Sequence, residues 1–138
     1  MKKSVFSILL LLSSLIVFSQ EINFNKLQNK NGVFYYSTTP YSGKAYTYHL
    51  NGNIEYEQSF KNGKLEGKSI TYYSNGKKKL TSTFLNGEPH GELIMYYDNG
   101  NIEAKMNFLN GKPNGKAYGY DRNGNIESVE NYKDGQLI

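Results

Sequence analysis

Three glutamates recur at one position of the chain, and they are the residues best suited to acid–base chemistry. Glu55, Glu103 and Glu127 fall in register, but the intervening position of the same series is occupied by Lys79. Catalysis needs unlike groups that converge in a pocket, whereas a carboxylate row interrupted by a lysine is typical of a solvated face with cross-strand ion pairs. We therefore expect these glutamates to be exposed.

The other residues with chemical potential are isolated. His49 and His90 are the only histidines, and they fall at unrelated positions, so we expect them at strand ends or in loops. The run Lys77, Lys78 and Lys79 lies beside a glycine corner and is interpreted as a solubilising feature. The absence of cysteine excludes disulfides and thiolate metal sites. These observations predict no catalytic residue, no metal and no cofactor, and hence a protein that is not an enzyme.

The N-terminus is typical of a secretion signal. Lys2 and Lys3 precede an apolar stretch that runs to Phe18, and Ser19 suits the small-residue rule for cleavage. We predict a helical signal peptide at residues 1–19, with an uncleaved anchor as the alternative and as the only expected membrane contact. Its removal lowers the formal net charge from +4 to +2. The mature chain is expected in the periplasm or outside the cell, without nucleic acid as a partner.

Glycines at a fixed 24-residue interval divide the rest of the chain. They form the series Gly43, Gly67, Gly91 and Gly115; Gly52, Gly76, Gly100 and Gly124; and Gly63, Gly87, Gly111 and Gly135. The second and third series each follow asparagine or aspartate, and such pairs are the strongest short-range hairpin signal. The sequence predicts an N-terminal capping segment at residues 20–42 and four hairpin repeats, at residues 43–66, 67–90, 91–114 and 115–138.

The apolar residues set the register of each hairpin. A three-residue loop with Gly52 in the left-handed bulge position pairs Tyr48 with Ile54 and Tyr46 with Tyr56, and it places them on one face with Phe60. We predict this loop at all four corners of the second glycine series.

The same register is expected to form an apolar stripe across the later repeats. The predicted pairs are Ile70 with Leu80, Ile94 with Ala104, Tyr96 with Ile102, and the mismatched pair of Tyr72 with Lys78. Because no later segment shows helical periodicity, we expect the stripe to be uncovered. The fold is predicted to be all-β: an elongated, single-layer antiparallel β-hairpin repeat sheet.

The repeat unit resembles the MORN-repeat variant family. The resemblance lies in Phe60 to Gly67 followed by Tyr72 to Gly76, and it recurs in the next two repeats. It implies antiparallel hairpin sheets used for protein contacts, and bacterial members are often described as antitoxins, which implies an antitoxin-like or immunity-like role. The resemblance brings no catalytic residue.

Function is best sought where the repeats differ, because the shared residues build the scaffold. On the face opposite the stripe, the middle repeats contribute Tyr73, Leu93, Met95 and Tyr97, which form a predicted partner-binding patch. Packing of this face against the N-terminal segment or a second copy is the alternative.

The predicted function is a non-catalytic, extracytoplasmic protein-binding scaffold. One alternative is a glycan or cell-wall binding module, because tyrosines can stack on sugars. The other is a structural envelope protein that assembles through the edge strand near Val129.

Overall fold

The computed structural model describes residues 20–138, and the predicted signal peptide lies outside these described residues. The elements in chain order are β1 (Gln20–Asn23), a 3₁₀ helix (Phe24–Lys26), β2 (Leu27–Lys30), β3 (Val33–Tyr36), β4 (Thr39–Pro40), β5 (Gly43–Tyr48), β6 (Ile54–Lys61), β7 (Lys64–Tyr72), β8 (Lys78–Leu85), β9 (Glu88–Pro89), β10 (Gly91–Tyr96), β11 (Ile102–Leu109), β12 (Lys112–Pro113), β13 (Gly115–Tyr120), β14 (Ile126–Lys133) and β15 (Gln136–Leu137).

One twelve-stranded sheet contains all four repeats and confirms the predicted fold class. Each repeat is a hairpin, formed by β5 with β6, β7 with β8, β10 with β11, and β13 with β14. The second strand of each repeat pairs antiparallel with the first strand of the next. Main-chain hydrogen bonds between strands thus join each repeat to the next in one continuous sheet.

The predicted bulged loop is confirmed at all four corners of the second glycine series. In the first repeat the His49 amide donates to the carbonyl of Asn53 at 2.8 Å, and the Gly52 amide donates back to the carbonyl of His49 at 2.9 Å. Gly52 has a φ of 87°, a conformation that glycine adopts without a Cβ penalty. The loop therefore contains three residues and returns Tyr48 to Ile54.

The corners of the third series are tighter. Asn62 and Gly63 have φ values of 51° and 79°, and the flanking Lys61 and Lys64 pair directly. Two central residues with positive φ define the type I′ turn, whose twist matches that of the flanking strands. Each repeat therefore contains one three-residue loop and one two-residue turn, and the two kinds of corner alternate along the chain.

The predicted register is correct at the corner and wrong beyond it. Tyr48 pairs with Ile54, but the next pair is Thr47 with Tyr56, so Glu55 has no partner residue on β5. This second bulge shifts the register by one residue, and such a shift moves every following side chain to the other face. Tyr46 consequently lies opposite Glu57 and not opposite Tyr56.

The same bulge recurs in the later repeats. The predicted pairs of Tyr96 with Ile102 and Tyr72 with Lys78 are confirmed, because they precede it. The predicted pairs beyond the bulge are wrong, since Ile70 lies opposite Thr81 and Ile94 lies opposite Lys105.

The sheet therefore has two different faces where one shared apolar stripe was predicted. The tyrosine face carries Tyr46, Tyr48, Ile54, Glu57 and their equivalents 24, 48 and 72 residues later. The phenylalanine face carries Ala45, Thr47, Tyr56, Gln58, Phe60 and their equivalents. Phe60 lies opposite Gly43 and is thus separated from Tyr46 by the sheet itself.

The N-terminal segment covers the phenylalanine face of the first repeat. Tyr41, Ala45 and Phe60 are at most 5% exposed, and the rings of Phe24 and Phe34 lie 6.3 and 5.1 Å from that of Phe60. The strand β1 pairs in parallel with β5 at the sheet edge, and β2, β3 and β4 form a separate small sheet. The main buried cluster thus lies at the N-terminal end of the repeats.

Candidate binding surface

Two residues of the predicted patch lie side by side on the phenylalanine face. Leu93 and Met95 occupy alternate positions of β10, with Leu93 opposite Met106 on β11. Met95 lies between Ala104 on β11 and Leu80 on β8, and its side chain is 38% exposed. The structure thus joins five apolar residues from two repeats into one area. We call Leu80, Leu93, Met95, Ala104 and Met106 the methionine patch.

The methionine patch has no counterpart in the other repeats. The positions equivalent to Leu93 hold Ala45, Ser69 and Ala117; those equivalent to Met95 hold Thr47, Thr71 and Gly119; and those equivalent to Met106 hold Gln58, Ser82 and Glu130. At these three positions large apolar side chains occur only in the third repeat. The Leu80 position differs, because it holds Tyr56 in the first repeat, Ala104 in the third and Ser128 in the fourth. The patch is therefore a local addition to the repeat pattern.

Leu80, Ala104 and Met106 were missing from the predicted patch. The predicted register placed Leu80 opposite Ile70, on the other face of the sheet, whereas it pairs with Thr71 and Met95. The signal that could have found Met106 is its departure from glutamine, serine and glutamate at the equivalent positions.

Tyr73 and Tyr97 occupy a different environment from Leu93 and Met95. The Tyr73 hydroxyl donates to the carbonyl of Tyr96 at 2.7 Å, and the Tyr97 hydroxyl donates to the carbonyl of Tyr120 at 2.7 Å. In the first repeat the Nε2 atom of His49 lies 2.9 Å from the carbonyl of Tyr72. Residues at this position connect each repeat to the next, and we call these contacts the inter-repeat braces.

Cations lie over the rings of both brace tyrosines. The Lys79 ammonium lies 5.6 Å from the ring centroid of Tyr73, and the Arg122 guanidinium lies 5.0 Å from that of Tyr97. Arg122 also contacts Asp98 at 2.7 Å, and this hydrogen bond lowers the pKa of the Asp98 carboxyl. Because both partners are more than half exposed, the ion pair contributes little to stability.

Two of the recurring glutamates, Glu103 and Glu127, lie close to the braces. Burial is the main cause of the raised pKa of Tyr97, followed by the negative charges of Glu103 and Glu127. Among residues 20–138 the ion pairs join Lys44 to Glu57, Lys105 to Glu92 and Arg122 to Asp98. The expected ion pairing of the recurring glutamates is therefore wrong. Glu103 and Glu127 form an acidic border beside Tyr97, and of the three recurring glutamates only Glu127 is fully exposed as expected, since Glu55 and Glu103 are partly buried.

The tyrosine face carries one tyrosine per repeat at the end of each first strand. These residues, Tyr48, Tyr72, Tyr96 and Tyr120, lie opposite Ile54, Lys78, Ile102 and Ile126. A depression of about 210 Å³ is lined by Tyr96, Ile94, Ile70 and Lys78, among others. A second, of about 400 Å³, is lined by Tyr46, Tyr48, Ile54 and Glu57, among others. We call the four strand-end tyrosines, Tyr48, Tyr72, Tyr96 and Tyr120, the tyrosine ladder.

Within the part of the chain that the structure describes, no cluster of three or more histidine, cysteine, aspartate or glutamate side chains is arranged to hold a metal ion. Over the same residues, no helix is both long and apolar enough to cross a membrane.

A family model matches four tandem repeats of this chain. The MORN repeat variant model matches residues 41–62, 65–86, 89–110 and 113–134. The chain belongs to this family. No curated protein matches the chain. Among solved structures it is similar to the crystal structure of accessory secretory protein 1,2 and 3 in Streptococcus pneumoniae, with a TM-score of 0.41 and 15% identity; the match covers 85% of this chain and 20% of that chain. This MORN-variant chain therefore spans about a fifth of that protein's length.

Proposed function

We propose that this MORN-variant protein is a non-catalytic scaffold that binds a protein partner outside the cytoplasm, and that the methionine patch is the contact. The repeat family and the hairpin sheet support a binding scaffold. The single observation that carries the proposal is the replacement of small residues by Leu93 and Met95 on an open sheet face.

The composition of the patch suits protein recognition. Contiguous exposed apolar residues with a polar border are typical of protein contact surfaces. Methionine side chains are flexible and polarisable, so they adapt to the shape of a partner. Both signs of charge lie beside the neighbouring braces, since Glu103 and Glu127 are near Tyr97 and Lys79 and Arg122 lie over the brace rings. The surroundings therefore favour a partner whose apolar anchor has a border of mixed charge.

The proposal is tested by converting the third repeat to the residues of its neighbours. Met95→Thr copies Thr71, and Leu93→Ser copies Ser69, so the double variant keeps side chains that the scaffold already accommodates. We expect it to capture at least ten-fold less partner from an envelope extract of the source cells. Val129→Thr is the matched control: Val129 is 52% exposed on the tyrosine face, and the equivalent residue is Thr81.

Unchanged capture by a folded Met95→Thr, Leu93→Ser protein would contradict the proposal. Loss of capture in the Val129→Thr control would assign binding to the tyrosine face or to overall stability. The proposed export is measured separately, by mass spectrometry of the protein from its source cells. A mature chain that begins at Gln20 supports export with cleavage, and retention of residues 1–19 by a cytoplasmic protein contradicts it.

A further inference from the structure

We propose that the tyrosine ladder is a second binding surface, and that it takes an acidic, proline-rich peptide in the polyproline II conformation. The inference rests on the proposed role as a protein-binding scaffold, but it concerns the face opposite the methionine patch.

The first argument is the spacing of the ladder. Successive ladder tyrosines lie on first strands that are separated by one intervening strand. Because paired strands lie about 4.7–4.9 Å apart, the ladder repeats about every 9.6 Å. A polyproline II helix has three residues per turn and a rise of about 3.1 Å per residue, which gives about 9.3 Å per turn. If one turn of the peptide lies over each tyrosine, the peptide and the ladder differ in length by only about 1 Å over the three intervals between the four tyrosines.

Other peptide conformations fit this spacing less well. An extended strand repeats the same face about every 6.6 Å. An α-helix returns to nearly the same face after seven residues, or about 10.5 Å, and drifts by about 3 Å over the same three steps. The ladder therefore favours the three-fold helix.

The second argument is the chemistry of the depressions beside the ladder. Tyr48 is 51% exposed, and Ile54 lies opposite it; Tyr96 has Ile94 and Ile70 beside it. Aromatic-lined grooves of this kind are the usual receptors for proline rings. A polyproline II helix has no internal hydrogen bonds, so its carbonyls need donors. The hydroxyls of Tyr48, Tyr96 and Tyr120 and the nearby lysines supply them, whereas the Tyr72 hydroxyl donates to Glu57 at 3.4 Å.

The third argument is charge. On the tyrosine face Lys44 pairs with Glu57, and Lys105 pairs with Glu92. The remaining lysines of this face, Lys68, Lys78 and Lys116, form no ion pair with any residue in the described range 20–138. Lys68 and Lys78 line the same depression as Tyr96, together with the ion-paired Glu92. Glu21 and the ion-paired Glu57 line the depression beside Tyr48, so the excess of positive charge lies at the middle of the ladder. The unpaired positive charge is complementary to an acidic peptide.

The test is isothermal titration of the purified full chain with synthetic peptides. The probe is a twelve-residue peptide of four Pro-Pro-Glu units, and the matched control has four Gly-Ser-Glu units, which carry the same charge on a flexible chain. We expect the proline peptide to bind at least ten-fold more tightly, and a two-unit peptide to bind more weakly than the four-unit peptide.

Variants locate the binding on the ladder. Tyr72→Leu with Tyr96→Leu removes two rings but keeps apolar side chains, and we expect it to lose at least ten-fold in affinity. Tyr56→Leu is the control, because Tyr56 is 40% exposed on the phenylalanine face, and its affinity should change less than two-fold. Circular dichroism of each variant establishes that the sheet is retained.

Three outcomes would overturn the inference. Equal affinity for the two peptides would show that only the peptide charge, and not its polyproline II conformation, is recognised. Equal losses in the ladder and Tyr56 variants would remove the ladder from the contact. Binding of chito-oligosaccharides in place of the peptide, with the same tyrosine dependence, would assign the face to glycans. If the full chain binds neither peptide, but the Met95→Thr, Leu93→Ser double variant captures less partner than the unmodified protein, this inference is refuted and the proposed function is supported.

Discussion

The inter-repeat brace at Tyr97 gives the sharpest prediction about stability. Its hydroxyl donates to the carbonyl of Tyr120 at 2.7 Å from a half-buried position. Tyr97→Phe removes the donor and keeps the ring under Arg122. A net hydrogen bond is worth about 0.5–1.5 kcal/mol, so we expect the free energy of unfolding to fall by about 1 kcal/mol. For a chain of this size that corresponds to a fall in Tm of about 3–5 °C.

Urea unfolding monitored by circular dichroism measures this loss. The expected result is a lower midpoint at an unchanged slope, because the surface exposed on unfolding stays the same. Tyr48→Phe is the control: Tyr48 is 51% exposed, and its hydroxyl makes no hydrogen bond to any other residue of the described chain. An unchanged midpoint for Tyr97→Phe, or an equal fall for Tyr48→Phe, would refute the role of the brace.

Three further predictions concern the core, a corner and alkaline stability. Phe60→Ala should cost about 3–5 kcal/mol in urea unfolding, since Phe60 is 5% exposed among aromatic rings; a loss below about 1 kcal/mol would contradict its place in the core. Gly63→Ala should destabilise the protein more than Gly76→Ala in the same assay. Both glycines have positive φ, but a Cβ at Gly63 would lie 2.8 Å from the Phe34 carbonyl oxygen, whereas a Cβ at Gly76 would meet open space. Equal losses would show that φ strain alone matters. Burial is the main cause of the raised pKa of Tyr72, so the stability linked to its neutral form is present below about pH 10 and is lost as pH rises further. The difference in phenolate absorbance between the unmodified protein and Tyr72→Phe should place the titration of Tyr72 above this value, and the Tyr72→Phe protein should lose less stability in alkali than the unmodified protein.

The repeat architecture could be predicted from the sequence because glycine marks the corners. A positive φ at Gly52 or Gly63 is a local requirement of the turn, and the 24-residue interval makes the requirement visible. The bulge at Glu55 carries no such mark, because it needs neither glycine nor proline. The register beyond each corner, and with it the assignment of Phe60 to a face, therefore needed the structure.

The candidate site divides in the same way into features that depend on local sequence, which could be predicted, and features that depend on register between strands, which could not. Leu93 and Met95 could be predicted together, because alternate residues of one strand always share a face. Leu80 depends on the register between strands, which the bulge displaces. Tyr97 stood out by its type, but a hydroxyl that reaches the next repeat cannot be told from an exposed one by sequence. The parallel strand β1 has no turn signal and was not predicted.

The contacts that join successive repeats have a consequence for how such a chain can change over time. The Gly87 amide donates to the carbonyl of Leu65, whereas the Gly111 and Gly135 amides donate to the carbonyls of Pro89 and Pro113. The braces likewise end on backbone carbonyls. Because the acceptors are main-chain atoms, each junction is indifferent to the side chains of the accepting repeat, and the brace needs only a side-chain donor such as Tyr97 on the other repeat. A duplicated 24-residue unit that keeps its brace donor can therefore be inserted without compensating substitutions in the next repeat, and the exposed residues of each copy are free to diverge toward new ligands.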